Sequence, residues 1–215
     1  MSLSSPDLDL LRRLQAACWQ AAWLLPPPRH ANGAAGMTVK VGGSLLTRRD
    51  WPQRLGSLLT ASNAPLQIMV GGGPVVDGLR QLDAASPQPA ERMHRLAIQA
   101  MEITAEMVAE ELGLRVCREP AADTSRHCVI HPEAWRTRGG FDGLPASWEV
   151  TSDSLAAIVA ATVGQPLLLL KSVCPPHAGE SLPLTALAEA GWVDPHFPQA
   201  AGRLIGLAWA APSAV

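Results

Sequence analysis

A chain of 215 residues with 47% apolar composition has material for one ordinary domain around a single core. Its formal charge of -2, without any block of like charges, leaves no electrostatic footprint for nucleic acid or a membrane surface. Cys18, Cys117, Cys128 and Cys174 are too few and scattered for a secreted disulfide scaffold, and the longest apolar stretches, Pro166 to Leu170 and Leu204 to Ala211, fall far short of the roughly 20 residues that cross a bilayer. Reduced thiols and a cytoplasmic location are the expectation.

Leu8, Leu11, Leu14 or Gln15, Cys18 and Ala22 recur at helical spacing, which predicts one amphipathic helix over 7–25 opened by Asp7. Arg12-Arg13 ahead of an Ala/Leu/Trp run resembles an export signal, but Asp7, Asp9, Gln15 and Gln20 interrupt that pattern. Pro26-Pro27-Pro28 stops the helix, and Arg29 to Gly36 reads as a linker. Residues 1–36 therefore read as an appendage to a domain over 37–215. A start at Met37, directly before the first strand, is one reading; an extra helix packed on the domain or on a second subunit is the other.

Beyond Met37 extended and helical segments alternate. Strands are predicted at Thr38 to Val41, Leu66 to Val70, Arg115 to Cys117, Cys128 to Ile130 and Pro166 to Leu170. Helices are predicted at Trp51 to Ser62, Val75 to Ala84, Ala90 to Gly113 and Asp153 to Val163, the long one with Leu96, Ala100, Ile103, Met107 and Leu112 near one face. This order predicts an α/β three-layer αβα sandwich with a mostly parallel central sheet. Ligands bind such sheets at the carboxyl ends of the strands, here the loops after Val41, Val70 and Leu170.

Two of those loops carry glycine clusters: Lys40-Val41-Gly42-Gly43-Ser44 and Gly71-Gly72-Gly73-Pro74. Bare glycines let backbone N–H groups approach phosphate oxygens, and a following helix adds its positive N-terminal end. Lys40 adds a full charge where a transferring phosphoryl group needs one. One such cluster alone more often serves only a tight turn, and it is the pair with the adjacent lysine that points to phosphate. Neither is a G-x-x-x-x-G-K-[ST] loop, and no G-x-G-x-x-G follows the first strand, which disfavours a Walker-type NTPase and a dinucleotide dehydrogenase.

With Val39-Lys40-Val41-Gly42-Gly43-Ser44, Gly71-Gly72-Gly73-Pro74, Thr151-Ser152-Asp153-Ser154-Leu155-Ala156-Ala157 and Leu169-Leu170-Lys171-Ser172-Val173 in that order, the chain resembles the amino acid kinase superfamily from Met37 to about Pro198. The runs His94 to Glu102 and Trp148 to Asp153 look similar to the small kinases of methanofuran biosynthesis, which phosphorylate an (aminomethyl)furan-methanol phosphate. The resemblance implies ATP-dependent phosphorylation of a small molecule, with Lys40 and Asp153 as the catalytic pair. It implies that Gly42, Gly43, Ser44 and Lys171 contact the nucleotide and that Gly71, Gly72, Gly73 and His94 contact the acceptor. Asp153 would orient the lysines and not act as a base; a helix-start aspartate favoured by the dipole is the alternative. A solvated strand-end lysine is the alternative for Lys171, and a structural histidine for His94. Asp77 and Arg80 could face the acceptor or form a solvated helix face. Mg²⁺ would bridge phosphate oxygens, held mainly by the nucleotide and not by a protein metal site. Relatives place a second copy against the long helix, so a homo-oligomer is expected, with packing inside the domain as the alternative.

One departure stands out. Superfamily members often continue the last motif into Asp-Gly and supply a further lysine after a Gly-Met turn. Here Val173 leads into Cys174-Pro175-Pro176, and no lysine follows Lys171. That keeps a non-catalytic, nucleotide-binding role open beside the kinase. Cys128-Val-Ile-His131 and Cys174-Pro-Pro-His177 offer zinc-type ligands at no diagnostic separation. The seven tryptophans lack basic interleaving and read as core or interface anchors.

Overall fold

Alternation of buried apolar strands with amphipathic helices forces the strands side by side in one layer, helices covering both faces. The computed structural model describes residues 6–17, 19–26, 36–121, 125–173 and 183–213. Among them are helices α1 (Pro6–Ala16), α2 (Trp51–Ala61), α3 (Gly73–Ala85), α4 (Ala90–Leu112), α5 (Pro132–Arg136), α6 (Ser152–Val163), α7 (Leu184–Glu189) and α8 (Phe197–Ala200). The strands are β1 (Trp19–Leu25), β2 (Met37–Val41), β3 (Leu66–Val70), β4 (Arg115–Cys117), β5 (Cys128–Ile130), β6 (Leu167–Leu170) and β7 (Leu207–Pro212). They form one seven-stranded sheet in the order β1-β7-β6-β2-β3-β5-β4, parallel except where β1 runs against β7.

The elements expected beyond Met37 lie within one or two residues of their predicted bounds, and the α/β layered architecture is as expected. The N-terminal segment is not. The helix ends at Ala16, and Trp19–Leu25 is a strand whose register pairs Trp19 with Pro212 and Trp23 with Ala208. The cause is tertiary: β7 is buried along its whole length, and β1 closes the row of peptide groups its free edge would expose. Leu10, Leu11, Leu14 and Trp19 join the main core. Most of the expected linker lies outside the described residues.

Period-2 alternation sorts the strands onto two core layers. Val39, Val41, Leu168 and Leu170 pack with α1, α2 and part of α4, whereas Leu167, Leu169, Leu207 and Trp209 pack with α6, α7 and α8. Helix α4 differs from the predicted stripe. Its buried face carries Ile98, Met101, Ala105 and Val108, while Ile103 and Met107 are 52% and 50% exposed. The apolar arc of the helix is wide, so periodicity alone could not choose the covered side.

Candidate active site

The pleat decides where Lys40 points. Val39 and Val41 enter the core under α1 and α2, so Lys40 between them faces the opposite layer, in register with Leu169 of β6. Lys171 comes two residues after Leu169 and faces the same layer, its backbone N–H donating to the Ala210 carbonyl at 2.9 Å. Over this end of the sheet hangs the first turn of α6, which carries Asp153. Lys40 Nζ lies 2.7 Å from Asp153 Oδ1, and Lys171 Nζ donates to Oδ2 at 2.5 Å. The Lys40 and Asp153 side chains are 6% exposed and that of Lys171 15%. Lys171 also sits over the Trp209 ring, 5.5 Å from its centroid. Lys40 and Lys171 are the only lysines of the chain, every other Lys-or-Arg position being arginine.

Electrostatics follow from that convergence. Burial pushes the Asp153 carboxyl up, but the ammonium groups of Lys40 and then Lys171 outweigh it and hold the carboxyl below the usual range. Burial, and then the charge of Lys40, lowers Lys171 from an ordinary 10.5 to about 8 against the opposing pull of Asp153. Asp153 is thus a carboxylate with both oxygens engaged, an orienting group and a poor proton acceptor.

The two glycine loops meet backbone to backbone beside this triad. A Cβ on Gly43 would stand 2.1 Å from the Gly73 nitrogen, and Gly73 itself has φ +49°, so each position demands glycine for a different reason. Gly42 donates its N–H to the Leu170 carbonyl at 2.8 Å and Gly71 donates to that of Val41 at 2.8 Å, which ties the loops to the sheet. A side chain at Gly42 would begin 3.8 Å from the Lys40 ammonium. Ser44 Oγ donates to Ser172 Oγ at 3.1 Å, joining the first loop to the segment after Lys171.

Next to the triad lies a pocket of about 240 Å³. Gly43, Ser44 and Gly71 to Gly73 line it with Ser152, and Val76, Ile98, Met101 and Leu155 make its apolar wall. Lys40, Asp153 and Lys171 are not part of the lining. Asp77, Arg80, His94 and Trp148 supply most of its polar groups. The Arg80 guanidinium lies 5.1 Å from the Trp148 ring centroid and pairs with Asp77 at 3.0 Å. The Trp148 indole N–H donates to Asp83 at 2.8 Å. His94 is lowered below its ordinary 6.5, chiefly by burial, although a hydrogen bond with the Ser147 backbone opposes this. Asp77 and Arg80, which sequence reading left between acceptor and solvent, are exposed and still line the pocket.

Sequence reasoning missed Asp194. Its buried carboxylate accepts from Thr151 N–H at 3.0 Å, Thr151 Oγ at 2.7 Å, Ser154 N–H at 3.0 Å and Ser154 Oγ at 2.5 Å. It stands 40 positions from Ser154, so no local motif spacing announces it. The cysteine–histidine pairs are not brought into a described site. Cys128 is buried in β5, His131 accepts from the Ala134 N–H at 3.1 Å as the cap of α5, and Cys174 and His177 lie outside the described residues. Among the described residues no three His, Cys, Asp or Glu side chains gather as a metal site.

No protein-family model and no curated protein matches the chain. Among solved structures it is similar to uridylate kinase from Archaeoglobus fulgidus, at 13% identity and a TM-score of 0.47, over 80% of this chain and 99% of that one. So distant an overlap assigns neither family nor activity, and the function is read from the site's own geometry.

Proposed function

We propose that the chain is a phosphotransferase that moves the terminal phosphoryl group of ATP to a small-molecule acceptor seated in the pocket beside Gly43 and Gly73. The observation that carries this reading is the convergence of both lysines on one buried carboxylate, next to two loops kept bare of side chains. In transfer, an acceptor oxygen bonds to the terminal phosphorus while the bond from that phosphorus to the bridging oxygen breaks, and negative charge spreads over the transferring oxygens and the leaving diphosphate. Lys40 and Lys171 are placed to neutralise that charge, Asp153 to hold the two ammonium groups apart in register, and the glycine loops to let phosphate oxygens come close. In this reading Gly42, Gly43 and Ser44 border the nucleotide, while Gly71, Gly72, Gly73 and His94 border the acceptor.

The donor set suits a polyphosphate better than a bare metal ion, since both Asp153 oxygens are taken and no described acidic cluster stands nearby. Mg²⁺ would enter on the nucleotide and supply further charge neutralisation. With the Asp153 carboxylate held by both lysines and no longer available to remove a proton, the site is best matched to an acceptor oxygen already ionised, such as a phosphate monoester or carboxylate. An (aminomethyl)furan-methanol phosphate is the specific candidate, and methanofuran-type cofactor synthesis the setting. The same reading has the protein act in the cytoplasm as a homo-oligomer, with exposed Leu82, Ile103 and Met107 available to a second copy.

A phosphotransfer screen over small alcohols, carboxylates and phosphate monoesters tests the proposal. Lys40→Ala should lower turnover about a hundredfold or more, as loss of one transition-state donor does; undiminished turnover rules out its assigned role. A second reading, a binding protein that kept the site and lost transfer, is favoured by the absence of any lysine beyond Lys171. Calorimetric titration with a non-hydrolysable ATP analogue and Mg²⁺ separates the two: binding without transfer to any acceptor selects the second, and no binding removes both.

A further inference from the structure

The first turn of a helix leaves backbone N–H groups without partners, and a single nearby side chain ordinarily caps one of them. In α6 the local cap is weak: Thr151 Oγ accepts from Asp153 N–H at 3.4 Å. The stronger restraint comes from Asp194, on the segment between α7 and α8, through its four bonds to Thr151 and Ser154. Those two residues bracket Ser152, which lines the pocket, and Asp153, which holds the lysines. Gripped on both sides, the turn is restrained against sliding along its axis and rotating about it. Asp153 has little tolerance for either movement, because its two oxygens meet Lys40 of β2 and Lys171 just beyond β6 at 2.7 Å and 2.5 Å.

We propose that Asp194 is a positioning residue of this site, fixing the first turn of α6 so that the Asp153 carboxylate stands between Lys40 and Lys171. The consequence for turnover rests on the phosphotransfer reading; the placement of the lysines does not. Charge balance supports the assignment. An aspartate caps a helix as well as Asn or Ser does, but a second buried carboxylate next to Asp153 also carries a desolvation cost, and here it complements a site with two buried ammonium groups. The charged groups facing Lys171 are Lys40 from β2, Asp153 from α6 and Asp194, and the last of these favours the protonated lysine.

The two-lysine composition permits a direct test. In the full-length chain labelled with ¹³C at the lysine ε-carbons, Lys40 and Lys171 give two side-chain resonances that can be followed with pH. Asp194→Asn keeps the shape but removes the charge and part of the accepting capacity. It should move the Lys171 midpoint downward from about 8 by more than the error of the titration, with the melting transition still cooperative. An unmoved Lys171 midpoint in the folded variant overturns the proposal. Because the Asp194 charge acts on Lys171 directly as well, Ser154→Ala decides whether Asp194 acts by positioning, since it deletes one of the four bonds and no charge: a smaller downward shift supports the proposal, no shift overturns it. With an acceptor in hand, Asp194→Asn should lower kcat more than it raises the KM for ATP. Absence of turnover in the unsubstituted protein would count against the phosphotransferase, while the lysine titration would still decide the role of Asp194.

Discussion

The lysine centre and the neighbouring pocket are built on opposite plans. At the centre, Lys40, Asp153 and Lys171 come from β2, α6 and the end of β6, are nearly dry, and each charged head is held by another. In the pocket, Asp77, Arg80, His94 and Trp148 come largely from α3, α4 and the loop ahead of α6, and the charged pair Asp77–Arg80 is 60% and 43% exposed. A preorganised, desolvated charge cluster suits chemistry common to any phosphoryl acceptor. A half-open wall with an accessible cation suits the choice of acceptor.

Substitutions should break the two regions unequally. Asp153→Ala, which strands two buried ammonium groups, should cost about 3–5 kcal/mol of stability, the range for removing one partner of a buried ion pair; a denaturant midpoint near that of the parent would show that the triad is not under electrostatic tension. Gly43→Ala comes next, because its Cβ would lie 2.1 Å from the Gly73 nitrogen in a backbone contact with no flexible side chain to yield. About 1–3 kcal/mol is expected by analogy with overpacked cores, and unchanged unfolding would mean the loops can separate freely.

Raising pH should separate activity from stability at Lys171. Its folded value, about 8, lies below its ordinary 10.5, so between those values the unfolded chain holds more protons at this site than the folded one. By linkage, the Lys171 contribution to stability therefore rises from about pH 8 to 10.5. Phosphoryl transfer should fall over the start of the same window as the ammonium is lost. A rate that climbs through pH 8 to 10 in Lys171-intact protein would remove this lysine from the proposed charge cluster. At the other end, Asp153, held low, contributes stability that is present at neutral pH and lost as pH falls through its folded value. The smallest effect on folding is expected in the pocket. Arg80→Ala should change stability by no more than about 0.5 kcal/mol, as exposed substitutions usually do, and should instead raise the KM for the acceptor with kcat held. Equal loss of both would move Arg80 from recognition to the transition state.

Where the chain declares itself by short-range pattern, sequence reading and structure agree. Leu167 to Leu170 is an unbroken apolar run and Leu66 to Val70 is apolar but for Gln67; both are bounded by turn residues, and both are buried strands. The glycine clusters fall where a strand end must meet another backbone closely. Trp19 to Leu25 reads as helix from its spacing, since Leu and Ala serve either conformation, and only the exposed edge of β7 makes it a strand. In sequence Leu204 to Ala211 registers only as an apolar stretch too short to cross a bilayer, and pairing with β6 and β1 is what makes Leu207–Pro212 a strand. On α4 the apolar arc is wide, running from Ile103 and Met107 round to Ile98, and does not single out the side the sheet covers.

The same division runs through the site. From the sequence, strand ends and bare glycines point to Lys40 and the two glycine loops as a phosphate site, and Asp153 and Lys171 join them only as what the resemblance to the amino acid kinases implies. Tertiary structure decided that both lysines meet on one carboxylate, because that depends on which face of the pleat β2 and β6 turn toward α6. It alone brought in Asp194, whose partners lie some 40 positions away. Charge balance around a buried group is a property of what surrounds it in space, and spacing along the chain does not record it.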